Sequence, residues 1–113
     1  MKVGYKAFTG TNNRTEFLLT DFDFIDGNDL LAKLFCEAYH MHVEEKFDGI
    51  WFHTIRLKSG DADYELLWHE ETGNAIHSLE EKKESTEVLE KRLGAILERL
   101  NFLLQKHKEH KET

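Results

Sequence analysis

Between Trp51 and Glu80 apolar and polar residues follow one another with a period of two, broken by the clusters Ser59-Gly60-Asp61-Ala62 and Glu71-Thr72-Gly73-Asn74. Alternation of this kind marks strands with one buried face, so the stretch predicts an antiparallel meander over about 50–58, 63–70 and 75–80. A two-residue type II′ hairpin with Gly60 in its first central position sets the first register. It places Lys58 opposite Asp63, Arg56 opposite Glu65, Leu57 opposite Tyr64, Ile55 opposite Leu66 and His53 opposite Trp68. Two ion pairs then share one face and the apolar pairs the other. A slip of one residue would set Tyr64 against Lys58 and mix the faces. The second turn admits two registers. A two-residue loop puts His77 beside Trp68 and Leu79 beside Leu66, whereas a bulged three-residue loop turns Ile76 inward.

The flanking segments add layers. Residues 2–8 and 15–24 read as strands around a turn at 9–13, and the second ends in an alternation of Asp21 and Asp23 against Phe22 and Phe24. A helix over 29–44, capped by Asn28, carries Leu30, Leu31, Leu34, Phe35, Ala38, Met41 and His42 as one stripe. A second helix over 86–108 starts at a Ser85 cap, with a Ser78/Glu81 capping box as the alternative. Its stripe Leu89, Leu93, Ile96, Leu100 and Leu103 is widened by Leu97 and Leu104, and 109–113 is a frayed tail. The expectation is one α+β domain over 1–113, of order ββαβββα. It has an antiparallel sheet of four to five strands, with both helices mainly on the Tyr64/Leu66/Trp68 face.

Charge narrows the partners. The net charge is −7, and all the excess lies in residues 1–79, with 14 acids against 7 bases; residues 80–113 hold 8 of each. Such a surface repels phosphate backbones and argues against nucleic acid as a partner. A single Cys, no signal-peptide-like start and no apolar run near the ~20 residues of a membrane span lead to the expectation of a soluble cytoplasmic protein.

The chemical motifs are thin. Asp21-Phe22-Asp23 after an apolar strand resembles the aspartyl nucleophile motif of haloacid-dehalogenase-type phosphatases, but the chain lacks the βαβ alternation of that fold. A metal-dependent hydrolase built on Asp21 and Asp23 is therefore the least favoured reading. Seven His show no metal-ligand spacing: His40 and His42 face apart, His53 and His69 lie on opposite faces, and His107 and His110 sit in the tail. Cys36 and His40 are four apart on one helix, the spacing of a thiolate–imidazole pair, but no oxyanion-hole feature accompanies them. No cofactor is expected, and no catalytic or metal residue is assigned.

Two surfaces stand out instead. Phe52 beside His69, with Leu67 next to them, forms an apolar island on the outer face of the meander. Val88, Ala95 and Phe102 form a second stripe on the C-terminal helix, bordered by Arg92, Arg99 and Lys106. The expected function is a non-enzymatic protein-binding or inhibitory module, with the composition of immunity proteins or phage-encoded inhibitors. The alternative is a structural or regulatory subunit that forms a homodimer through its C-terminal helix.

Overall fold

A computed structural model describes residues 2–10, 14–23, 26–80 and 82–112, the last six of these as helical backbone only. The strands are β1 (Gly4–Thr9), β2 (Thr15–Thr20), β3 (His42–Asp48), β4 (Phe52–Lys58), β5 (Asp63–His69) and β6 (Gly73–Ser78). The helices are α1 (Gly27–Tyr39) and α2 (Lys83–Glu112). All six strands join one antiparallel sheet in the order β1-β2-β6-β5-β4-β3. The class is α+β as expected. The strand count and element order are not, because an edge strand, β3, lies where the sequence suggested the end of a helix.

The β4–β5 ladder has the predicted register from Phe52↔His69 through Lys58↔Asp63. The turn closes with Ser59 N–H donating to the Ala62 carbonyl at 2.9 Å. Gly60, however, does not take the positive φ of a type II′ turn. The second hairpin takes the longer loop: His69 pairs with Gly73, whose φ of 82° suits only glycine well, and Leu66 faces Ile76. Ile76 is thereby buried, and His77 lies opposite Glu65 rather than beside Trp68.

Helix α1 stops five residues early. His40, at φ 54° and ψ 40°, takes the left-handed conformation that ends helices, and Met41 is buried just past it. Residues 42–48 then run antiparallel to β4, with a bulge between Val43 and Glu45. Asn28 is not the cap. Asp26 holds that position without a side-chain bond, while Asn28 is buried in the first turn. At the other end of the chain α2 begins at Lys83, so Ser85 lies inside it and donates to Glu80. The helix continues through 109–112, where a frayed tail was expected. At ~1.5 Å per residue α2 is about 45 Å long, close to the 46 Å longest dimension of the protein.

Strand β2 ends at Thr20 rather than 24. Asp21 turns the chain out of the sheet at φ 58°, so the alternating carboxylates do not share a strand face. Phe22 is buried and packs under Gly27, where an added Cβ would lie 2.6 Å from its ring. The turn at 11–13, the Phe24 ring, Glu81, Thr113 and the side chains of His107 and His110 lie outside the described residues.

Both helices pack on one face of the sheet. Phe17 and Leu19 of β2, Tyr64 and Leu66 of β5 and Ile76 of β6 form one core cluster with Leu31, Leu34 and Phe35 of α1 and Leu89, Leu93, Ile96, Leu97 and Leu100 of α2. Polar contacts clamp α2 across it. Asn101 accepts from Val3 N–H at 2.8 Å and donates to the Val3 carbonyl at 3.0 Å. Arg92 donates to Tyr64 Oη at 3.2 Å and lies 4.6 Å above the Tyr39 ring. The opposite sheet face carries no helix among the described residues.

Candidate functional site

Where two strands turn back on each other, the sequence between them decides what is presented. In β3–β4 that sequence is Asp48-Gly49-Ile50-Trp51, and Gly49 N–H donates to the Phe52 carbonyl at 2.8 Å to close the turn. Ile50 is 84% exposed and Trp51 61% exposed, and Phe47 and Phe52 are also in the open. Phe47 and Phe52 project to the helix-free face, where their rings stack at 5.3 Å between centroids and 26° between planes. Such a pair adds about 0.5–1.5 kcal/mol to the hairpin. The Trp51 carbonyl accepts from Glu70 N–H at 3.1 Å, which ties the tip to the β5–β6 loop. His53 holds the strand start from the other side, its Nδ1 2.9 Å from Asp48 and its ring 5.5 Å from that of Trp68.

Phe52, Leu67 and His69 are neighbours on the helix-free face, and Phe47 joins them through its stack on Phe52. Phe52 is exposed, and Leu67 and His69 are half-buried beside it. His69 Nδ1 accepts the Glu71 N–H at 3.0 Å. Phe47 lies just past the helix predicted over 29–44, in a segment to which the pattern assigns no strand. Ile50 and Trp51 were read as the start of a strand. The local signal that could have found the tip is Asp48-Gly49 followed by two large apolar residues, since a turn pair followed by apolar residues exposes one or more of them.

The other predicted surface, Val88, Ala95 and Phe102, is exposed along α2. Phe102 already lies between two cations, the guanidinium of Arg99 at 5.8 Å and the ammonium of Lys106 at 5.6 Å. The two surfaces are not brought together; one is at a sheet end and the other on the far side of α2.

The predicted ion pairs are repartnered. Glu65 turns to His77, at 2.9 Å from Nε2, instead of to Arg56. His77 is only 2% exposed although it lies on the helix-free face. Arg14 Nη1 stands 3.4 Å from its Nδ1, which also lies 3.3 Å from the Ser78 carbonyl. Arg56 then pairs with Asp63 at 2.9 Å and Lys58 with Glu44 of β3 at 3.8 Å. The Glu65 carboxyl is held below the usual range, first by the hydrogen bond from His77 and then by the charges of His77, Arg14 and Arg56, against the opposing effect of burial.

The chemical candidates stay apart. Asp21 is exposed at the strand end, and Asp23 accepts from Trp68 Nε1–H at 3.1 Å. Among the described residues no three His, Cys, Asp or Glu side chains come together as a metal site. Cys36 packs against the core, and its thiol is pushed up by burial and by the nearby Glu37, opposite to what activates a nucleophile. No described helix is long and apolar enough to cross a membrane. Comparison with protein-family profiles, curated proteins and solved structures finds no match to this chain.

Proposed function

We propose that the protein is a binding module that acts by occupying a surface of another protein, in the manner of an inhibitor or regulator. One observation carries the reading: four large apolar side chains, Phe47, Ile50, Trp51 and Phe52, are exposed together on one closed hairpin. Each adds nothing to the core where it stands. Trp and other aromatic residues dominate the energetics of protein interfaces when they enter a pocket, and a hairpin held at both strands presents them with little ordering cost.

Affinity capture from the native host tests this, comparing the wild type with Ile50→Asp/Trp51→Asp. The double variant should fold as the wild type does and lose the captured protein, while a control change on α2, Val88→Asp, should keep it. Equal capture by all three would refute the hairpin as the docking element. Dimerisation through α2 is the weaker reading, because Phe102 is flanked by Arg99 and Lys106, whose charges two copies would have to bring together.

A further inference from the structure

We infer that the partner of the hairpin is a basic protein, presenting an apolar pocket ringed by lysine or arginine side chains; this rests on the binding-module reading above. Three connections meet at the end of the sheet that carries Ile50 and Trp51: residues 21–23 and 26 ahead of α1, 48–51 between β3 and β4, and 70–72 between β5 and β6. They contain Asp21, Asp23, Asp26, Asp48, Glu70 and Glu71, all exposed, and no Lys or Arg. The bond from Glu70 to Trp51 and the bond from Trp68 to Asp23 show that the three connections are neighbours in space. Lys46 reaches toward this end from β3 and pairs with Asp29 at 2.8 Å. Lys2, ahead of β1, and Lys106, in the last turns of α2, lie at the same end but on the side of the sheet opposite β3. Beside the apolar tip the carboxylates form an acidic rim.

That combination selects among the occupants an exposed apolar hairpin could have. A second copy docking tip to tip would bring the same six carboxylates against these, and like charges across an interface cost several kcal/mol. A cytoplasmic membrane leaflet carries anionic lipid and repels the rim, although Trp and Ile alone would suit its interface. Nucleic acid is repelled in the same way. A cation-rimmed protein surface gains from both parts, the rim drawing it in and the tip filling its pocket.

A defined probe tests the inference: an amphipathic helical peptide of leucine and lysine, with a leucine–glutamate peptide of the same pattern as control. Binding is followed by backbone amide shifts of the isotope-labelled protein. The expected result is that the lysine peptide shifts residues 48–52 and 70–71, that raising the salt weakens it about tenfold, and that Glu70→Gln/Glu71→Gln/Asp26→Asn weakens it by a similar factor with the fold intact. The inference is overturned by a glutamate peptide that binds as well. It is equally overturned by shifts spread over the carboxylates of α2 such as Glu87 and Glu98, by no shift at the hairpin, or by tight binding to anionic phospholipid vesicles. Failure of the two readings is distinguishable. Capture from the host that Ile50→Asp/Trp51→Asp abolishes but salt leaves unchanged would retain the docking hairpin and remove the basic partner.

Discussion

Replacing Asn74 by Ala should destabilise the protein far more than loss of one surface amide would. Asn74 is 0% exposed and Asn28 2% exposed, and Asn74 Nδ2–H donates to Asn28 Oδ1 at 2.9 Å across the gap between β6 and the first turn of α1. Asn28 Nδ2 is enclosed with no hydrogen-bond partner, so that one bond from Asn74 holds its side chain. Removing it leaves a buried carbonyl oxygen with nothing to accept, at about 1–3 kcal/mol. Truncation in a packed site adds roughly another 1 kcal/mol. The total, about 2–4 kcal/mol, corresponds to a fall in Tm of about 8–16 °C for a domain of this size. Urea denaturation of Asn74→Ala, Asn28→Ala and the double variant measures it. Asn74→Ala strands the Asn28 amide, whereas in the double variant no Asn28 amide remains to be stranded. The double variant should therefore be less destabilised than the sum of the singles by about 1 kcal/mol or more. A cost for Asn74→Ala below about 0.5 kcal/mol, or simple additivity, would refute the buried pair as the tie between α1 and the sheet. The tie bears on the proposed docking surface, because it holds the start of α1 and with it Asp26 against β6.

Three further outcomes follow from the geometry. Glu65 has a depressed folded pKa, so its contribution is fully present above the unfolded carboxyl value near 4.5 and is lost as pH falls through the folded value. Glu65→Gln should lower stability by about 1 kcal/mol at neutral pH. The gap should close in strong acid; thermal melts across pH would contradict this if it widened as pH falls. Gly27→Ala would place a methyl group 2.6 and 2.7 Å from two ring carbons of buried Phe22, which should destabilise by about 1–3 kcal/mol despite the better helix propensity of Ala. Gly94→Ala, with nothing within 4 Å, should instead stabilise by up to about 1 kcal/mol in the same urea titration.

The β4–β5 ladder was legible because two independent signals, the turn and the two-faced alternation, agree on one register. Strand β3 offers neither. Its residues are exposed throughout, so HVEEKFD has no buried face to impose a period, and the helical stripe ending in Met41 runs directly into it. An edge strand of this kind is recognised by its neighbour, and the neighbour is a tertiary fact. The second hairpin illustrates the same limit. Both loop lengths satisfied local rules, and the choice fell to Ile76, whose burial between Phe17 of β2 and Leu66 of β5 depends on strands far apart in the chain.

At Asp21–Phe24 the alternation itself misled. Left-handed backbone at Asp21 costs energy that the burial of Phe22 offsets, and no period-two rule contains that exchange. The candidate site was half legible for the same reason. Phe52, Leu67 and His69 followed from the solved register, while Phe47 needed β3. The acidic rim needed to know that three separate connections share one end of the sheet. Charge counting found the excess of acids in the first three-quarters of the chain; only topology gathers six of them around Ile50 and Trp51.

The bulge between Val43 and Glu45 has a consequence for what can pair with this edge of the sheet. A free strand edge beside four exposed large apolar residues is an invitation to sheet-to-sheet growth. The bulge interrupts the row of backbone donors and acceptors on β3, and Glu44, Glu45 and Lys46 place three charges along the same short edge. Another strand cannot zip onto it in register over its full length. Along this edge, where Phe47, Ile50, Trp51 and Phe52 stand exposed, a second strand therefore gains little from the backbone.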